Sequence, residues 1–181
     1  MSCRARNLIR EMDTQTVYKD TRMKASVETQ PKGYHTITPY MSVRDCVAAI
    51  DFYRRAFGAE KTMQLDMPDG KIAHAEIRVG DSTLMLSEEN EEWGNKSPQS
   101  LGGSPMFLMI YVSDVDAAFK KAIAAGATEV RPVQDQFYGD RSGTLKDPYG
   151  YQWTLSTHIE DVSEKEAQRR MEAEFGQPSA A

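Results

Sequence analysis

Residues 42–60 read SVRDCVAAIDFYRRAFGAE, and their pattern returns at residues 111–127 as YVSDVDAAFKKAIAAGA. In both stretches an aspartate suited to capping a helix follows an apolar strand end, and a glycine suited to ending the helix comes about three turns later. The two aspartates, Asp45 and Asp114, lie 69 positions apart. Agreement at the strand end, the cap and the helix face predicts an internal repeat.

Each repeat predicts one strand, one helix and three further strands. Two apolar runs joined by Gly80-Asp81 predict a hairpin in the first repeat. The fold class predicted is α+β, with two tandem βαβββ modules forming a cupped mixed sheet. The predicted segments are a mobile tail at 1–32, a domain at 33–158 made of module one (34–89), a linker (90–105) and module two (106–158), and a C-terminal helix and tail at 159–181.

The first strand is predicted from about Tyr34 to Val43, with Ile37, Met41 and Val43 on its buried face. Pro39 lacks an N–H group, which favours a position at the edge of the sheet. With one helix for four strands, a helix covers one face of each sheet and leaves the other face uncovered. Alternation along the strands assigns to that concave face Thr83, Met85, Phe107, Met109, Tyr111, Gln152 and Thr154, and to the helix face Leu84, Leu86, Leu108, Ile110, Val112, Trp153 and Leu155.

The composition excludes several classes of function. The net charge of -5 argues against a nucleic-acid partner, because phosphate binding needs a basic surface. No apolar run is long enough to span a bilayer, and the N-terminus lacks the apolar core of a secretion signal. Of the two cysteines, Cys46 is interpreted as a small buried residue rather than a catalytic thiol. No CxxC pair is present, so neither a zinc knuckle nor a disulfide framework is supported, and a reducing cytoplasm is the expected location.

The segments SVRDCVAAIDFYRRAFGAE, YVSDVDAAFKKAIAAGA and LKDPYGYQWTL resemble the glyoxalase / bleomycin resistance / dioxygenase group, the vicinal oxygen chelate superfamily. The resemblance covers roughly residues 33–158. PDGKIAHAEIRVGD and QFYGDRSGTLKDPYG are similar to the phosphonate-operon-associated glyoxalase-like branch of that superfamily. The resemblance implies a homodimer and a small-molecule pocket.

The metal enzymes of this superfamily place ligands on the first and last strand of each module. The resemblance carries those positions to Thr38, Met85, Phe107 and Thr154 of this chain. None of the four is His, Glu or Asp, and their side chains are poor ligands for hard divalent cations. We therefore predict no metal and no other cofactor, and we expect no metal-dependent lactoylglutathione lyase activity.

His74 and Glu76 are two residues apart on one predicted strand, so they share a face. One interpretation makes His74 a general base or ligand partner tuned by Glu76. A second makes the pair two ligands of a relocated metal, with His35 or Asp140 supplying others. A third is a buried hydrogen-bonded pair that bridges to Arg78 or Arg141.

A loop at residues 137–143 adds candidates for ligand binding. Arg141 could hold a carboxylate or phosphate, and Tyr138 could stack or hydrogen-bond. An ion-paired Asp140–Arg141 turn explains the same residues. The predicted substrate-binding residues are Thr38, Tyr40, Met85, Phe107, Tyr138, Arg141 and Thr154.

Three functions fit these patterns. The first is a metal-independent small-molecule-binding protein. The second is a lyase or isomerase that uses His74 and Glu76, with or without a relocated divalent metal. The third is a structural or regulatory dimer whose pocket is filled by its own side chains.

Overall fold

The computed structural model describes residues 27–176, and most of the predicted tail falls on residues 1–26, outside that part. Residues 27–39 contain no helix or strand. The elements in chain order are β1 Tyr40–Val43, α1 Cys46–Phe57, β2 Glu60–Asp66, β3 Ile72–Val79, β4 Ser82–Glu88, α2 Pro98–Leu101, β5 Phe107–Tyr111, α3 Val115–Ala125, β6 Thr128–Asp135, β7 Asp140–Lys146, β8 Gln152–His158 and α4 Glu164–Phe175.

The strands form two four-stranded sheets of the same topology. The first sheet has the order β1-β4-β3-β2 and the second the order β5-β8-β7-β6. In each sheet the first strand of the module pairs in parallel with the last, and the other pairings are antiparallel. The structure therefore confirms the α+β class and the two βαβββ modules that the repeat predicts.

The first strand is shorter than the sequence predicts. Strand β1 begins at Tyr40, and Ile37, which was placed on the buried face, is 84% exposed. Pro39 has no N–H group for a ladder, and the Thr38 hydroxyl donates to the carbonyl oxygen of His35 over 3.0 Å, which closes a local turn instead. The prediction was wrong before Tyr40, but Met41 and Val43 are buried and β1 does lie at the sheet edge.

The helices of the two modules, α1 and α3, begin and end as the repeat predicts. The Asp45 carboxylate accepts from the N–H of Ala48 over 2.9 Å, and the Asp114 carboxylate accepts from the N–H of Ala117 over 3.0 Å. Gly58 ends α1 with φ of 71°, a left-handed conformation in which a side chain would be strained. Both caps therefore hold the helices in equivalent positions on the two sheets.

Aromatic side chains join α1 of module one to β8 of module two. The rings of Tyr53 and Phe57 lie 5.4 Å and 4.8 Å from the ring of Trp153, between centroids. Tyr53 and Trp153 are fully buried. The predicted helix-facing residues of β4 and β8 are buried as well, whereas those of β5 are half-buried.

A buried carboxylate lies at the centre of this aromatic contact. Asp147 is 3% exposed and accepts hydrogen bonds from the Tyr53 hydroxyl and the Trp153 indole N–H, each over 2.8 Å. Its other oxygen accepts from the backbone N–H groups of Tyr149 and Tyr151. Burial raises the pKa of Asp147, although all four hydrogen bonds oppose that shift.

The C-terminal segment contains the helix α4. The Ser163 side chain accepts from the N–H of Glu166, and the Glu166 carboxylate accepts from the guanidinium groups of Arg169 and Arg170. Among residues 27–176, no helix is both long enough and apolar enough to cross a membrane.

We predict that Asp147→Asn lowers the free energy of unfolding by about 2–4 kcal/mol, because the asparagine amide has only one acceptor oxygen and its NH2 group would face one of the two donor pairs that the carboxylate satisfies. Urea unfolding followed by tryptophan fluorescence measures the change. Asp51→Asn, which alters an exposed carboxylate on α1, is the matched control and should change stability by less than about 1 kcal/mol. Equal stability of Asp147→Asn and wild type would contradict the role given to this carboxylate.

Candidate functional site

The concave face of the first sheet carries one row of side chains across all four strands. The register pairs Tyr40 with Met85, Met85 with Glu76, and Glu76 with Met63, and directly paired residues point to the same face. Tyr40 is 50% exposed and Met63 is 43% exposed. This face therefore presents a polarisable, partly apolar surface with one carboxylate set into it.

His74 lies beside this row and is hydrogen-bonded on both sides. Its Nδ1 is 3.0 Å from the Tyr40 hydroxyl, and its Nε2 is 3.2 Å from Oε1 of Glu76. A hydrogen bond from the Tyr34 hydroxyl lowers the pKa of Glu76; burial opposes this, and a hydrogen bond from His74 adds to it. The structure thus brings together Tyr40, His74, Glu76 and Met85 of the predicted site.

The second sheet has an equivalent open face. Phe107, Met109 and Tyr111 of β5 are all exposed, by 61%, 47% and 63%. The register pairs Met109 with Thr154, whose hydroxyl lies 3.2 Å from that of Thr144. This row therefore carries two threonine hydroxyl groups and no carboxylate, whereas the row of the first sheet carries Glu76.

Sequence reasoning missed a cluster around Asp140 on this sheet. Asp140 is 3% exposed and accepts from the Tyr111 hydroxyl over 3.0 Å and the Ser156 hydroxyl over 2.8 Å. Its other oxygen lies 2.8 Å from Nδ1 of His158, whose Nε2 is 3.0 Å from Asp161. Because Asp140 pairs with His158 across β7 and β8, only the strand register could have revealed the contact.

The pKa values in this cluster shift in opposite directions. Burial pushes the pKa of Asp140 up, but hydrogen bonds from His158, Ser156 and Tyr111 outweigh it, and the net shift is downward. Hydrogen bonding to Asp140 and then to Asp161 raises the pKa of His158. The cluster therefore favours an imidazolium between two carboxylates.

Arg141 and Tyr138 lie apart from the first half-site. The Arg141 guanidinium binds Asp116 at the start of α3 through two hydrogen bonds of 2.8 Å and 2.9 Å, and it binds Asp135 over 2.8 Å. Its strand neighbours Asp140 and Ser142 point to the opposite face. The predicted Asp140–Arg141 pair is replaced by these contacts, which use three of the five N–H groups of the guanidinium and pair its charge with two carboxylates.

Tyr138 instead lies near the second concave face. Its hydroxyl is 3.4 Å from that of Ser142, and it borders a cavity of about 570 Å³ that Thr154, Thr144 and Phe175 also line. A second depression, a groove of about 660 Å³, runs along β5 and has mostly apolar walls. Its lining includes Ile37, Phe57, Leu84, Leu108, Ile110 and Trp153.

The positions that hold a metal in the superfamily's enzymes do not suit one here. Thr38 precedes β1 and donates its hydroxyl to a backbone carbonyl, and Phe107 has no donor atom. Within residues 27–176, no group of three or more His, Cys, Asp and Glu side chains is arranged to hold a metal ion. The donor set at these positions does not fit a glyoxalase-type metal centre.

A model of the Glyoxalase/Bleomycin resistance protein/Dioxygenase superfamily matches residues 34–155 of this chain. An uncharacterised protein of Mycobacterium tuberculosis is 40% identical over 141 residues, covering 76% of this chain and 83% of that protein. The protein YjdN of Escherichia coli is 24% identical over 141 residues, covering 66% of this chain and 93% of YjdN.

Solved structures show the same architecture. TioX from Micromonospora is 27% identical, with a TM-score of 0.55 over 68% of this chain and 98% of TioX. A PhnB protein of Bacillus cereus is 19% identical, with a TM-score of 0.53 over 68% of this chain and 99% of that protein. The second likeness concerns the fold alone.

We predict that His158 titrates above the usual imidazole value of about 6.5 and that Asp140→Asn lowers its pKa. Because the folded-state pKa is raised, the stabilisation that His158 contributes is present at low pH and is lost as the pH rises through that value. Proton NMR of the imidazole checks the pKa. Asp135→Asn, which removes a carboxylate bound to Arg141, should leave the pKa of His158 unchanged. An equally high His158 pKa in Asp140→Asn would exclude this cause.

Proposed function

The chain belongs to the glyoxalase/bleomycin resistance protein/dioxygenase superfamily, and we propose that it binds a small organic molecule on its concave sheet faces without a glyoxalase-type metal centre. The observation that carries this proposal is the composition of the concave surface. The superfamily's ligand positions hold Thr38, Met85, Phe107 and Thr154, while exposed Met and aromatic side chains surround them. Such a surface favours an apolar or aromatic ligand with a few polar groups.

The polar part of the proposed site is in module one. Tyr40, His74 and Glu76 form a connected set of hydrogen bonds beside Met85. A few fixed polar groups within an apolar lining are typical of sites that orient a small ligand. Phe107 and Thr154 would supply the apolar wall and a hydroxyl from module two. We leave Arg141 out of the proposed site because Asp116 and Asp135 already bind its guanidinium.

We further propose that a second copy of the chain completes the site. Both concave faces are open, and both β1 and β5 lie at sheet edges. Exposed apolar side chains beside unpaired strand edges are characteristic of interfaces between protein chains. In such a homodimer the module-one half-site of one protomer would face the module-two half-site of its partner. A cytoplasmic location remains a prediction, supported by the buried free thiol of Cys46.

An enzyme is the second candidate, and the hydrogen bonds of His74 favour it. Glu76 orients the imidazole in the way that a carboxylate orients a catalytic histidine. A lyase or isomerase of this kind would move a proton of the bound molecule. A relocated metal is a further possibility for this candidate only, with His74 as one ligand.

The ligand proposal predicts specific losses of binding. A thermal-shift screen of small aromatic and keto compounds should give hits that raise the melting temperature of the wild type. Phe107→Ala should weaken each hit about tenfold, because an exposed aromatic wall of the site is removed. Trp93→Ala, in the linker, is the control and should keep the affinity of the wild type.

Metal analysis tests the metal-independent proposal against an enzyme that uses a relocated metal. Treatment with a chelator should leave both the melting temperature and the affinity for hits unchanged. If the purified protein holds stoichiometric metal that His74→Ala releases, the metal-independent proposal is wrong.

The dimer proposal predicts a mass of two 20.4 kDa chains in analytical ultracentrifugation. Met109→Lys places a charge on the exposed face of β5 and should shift the equilibrium toward the monomer by at least tenfold. Val47→Lys changes an even more exposed apolar residue, on α1, and should remain dimeric. Sedimentation of the wild type as a single chain would contradict the dimer.

A further inference from the structure

Four polar side chains of module one form a continuous series of hydrogen bonds, which we name the polar relay: Tyr34, Glu76, His74 and Tyr40. The Tyr34 hydroxyl bonds to Glu76, Glu76 lies 3.2 Å from Nε2 of His74, and Nδ1 of His74 lies 3.0 Å from the Tyr40 hydroxyl. Three of the four lie on paired strands or at their ends, so the sheet fixes their spacing.

Glu76 decides which nitrogen of His74 carries the proton. The hydrogen bond from Tyr34 keeps the pKa of Glu76 low, so its carboxylate is ionised and only accepts. Nε2 of His74 must then be the donor, because two acceptors do not bond to each other. In the neutral imidazole Nδ1 is left with a lone pair, and the Tyr40 hydroxyl donates to it.

Exposure decides which end of the relay meets a ligand. Tyr34, at one end, is half-buried, and the side chains of His74 and Glu76 are 21% and 10% exposed, whereas Tyr40, at the other end, is 50% exposed. Both nitrogens of His74 already have partners within the relay. A molecule on the concave face therefore reaches the Tyr40 oxygen and not the imidazole.

We propose that Tyr40 is the ligand-facing hydrogen-bond acceptor of the site, and that the ligand class is one that presents an acidic hydroxyl group, such as a phenol or an enol. This inference rests on the proposal that the ligand occupies the concave face. Since the single phenol proton of Tyr40 is directed to His74, its oxygen offers only lone pairs to the ligand. A methyl ether of the same shape has no proton to donate and leaves that oxygen unpaired.

An acidic ligand can pass its proton into the relay. The ligand O–H bond breaks and a new O–H bond forms at the Tyr40 oxygen, while the original phenol proton moves to Nδ1 of His74. The ligand keeps the electron pair and becomes an anion, hydrogen-bonded to the Tyr40 hydroxyl. The imidazolium formed at His74 is balanced by the Glu76 carboxylate, so atoms and charge are conserved.

The first test is the tautomer of His74 in the full-length protein. Nitrogen-15 NMR of the imidazole at mildly alkaline pH, assigned with His74→Gln, should show the Nε2–H form. Glu76→Gln should weaken that preference, and Tyr111→Phe should not, because the Tyr111 hydroxyl binds Asp140 instead. A predominant Nδ1–H form would overturn the proposal, because Tyr40 would then accept from His74 and donate to the ligand.

The second test is the pair of probes 4-cresol and 4-methylanisole, because a cresol, like a tyrosine side chain, keeps its proton at neutral and mildly alkaline pH. The phenol should bind the wild type about fivefold to tenfold more tightly than the ether, and Tyr40→Phe should abolish that difference. Equal binding of the two probes, or binding of neither, would show that the ligand class is wrong. Failure of every compound in the wider screen would instead refute the proposed function, while the tautomer would still decide the orientation of the relay.

Discussion

The contact that the rest of the structure depends on is the buried carboxylate of Asp147. One of its oxygens accepts both from Tyr53 on the helix of module one and from Trp153 on the last strand of module two. A buried ionisable group is tolerated only when its hydrogen-bonding capacity is satisfied, and here four donors meet it. The aromatic rings around it are therefore held in one arrangement, and the two modules with them.

This arrangement explains why the concave faces are open. The modules meet through α1 and the aromatic side chains of module two, so helix-side surface is used for the contact between them. The opposite faces keep their exposed side chains, including Tyr40 and Tyr111. On each face, a tyrosine of the module's first strand is hydrogen-bonded to a titratable side chain of its third strand. Tyr40 is bonded to His74 in module one, and Tyr111 donates to Asp140 in module two. Both half-sites therefore pair a tyrosine with a titratable residue, but that residue is a histidine in module one and an aspartate in module two.

Much of the fold could be predicted because its signals are local. Helix caps and helix-ending glycines act within a few residues of the chain. Each of these signals occurs in both repeats, with Asp45 in the first and Asp114 in the second. The start of β1 was predicted too early because the apolar alternation extends back to Ile37. Pro39 and the turn at Thr38 prevent strand pairing there. Alternation describes which face a residue would take in a strand, and it does not show that a strand forms.

The candidate site was predictable only in part, and the reason is again the distance in sequence between partners. His74 and Glu76 are neighbours on one strand, so their contact followed from spacing. The partners of Arg141 on α3, and the pairing of Asp140 with His158, depend on register and helix placement that no local pattern contains. The same holds for Tyr34, whose bond to Glu76 sets the direction of the polar relay.

The most direct measurement of the central claim is methionine-methyl NMR of the metal-free protein during titration with a screening hit. The methyl groups of Met63, Met85 and Met109 lie on the concave faces, whereas Met41 is in the core and Met171 is on α4. Binding at the concave site predicts shifts for Met63, Met85 or Met109 and constant signals for Met41 and Met171. Shifts that occur only after a divalent metal is added, or that leave all three concave methyl groups unchanged, would contradict the account.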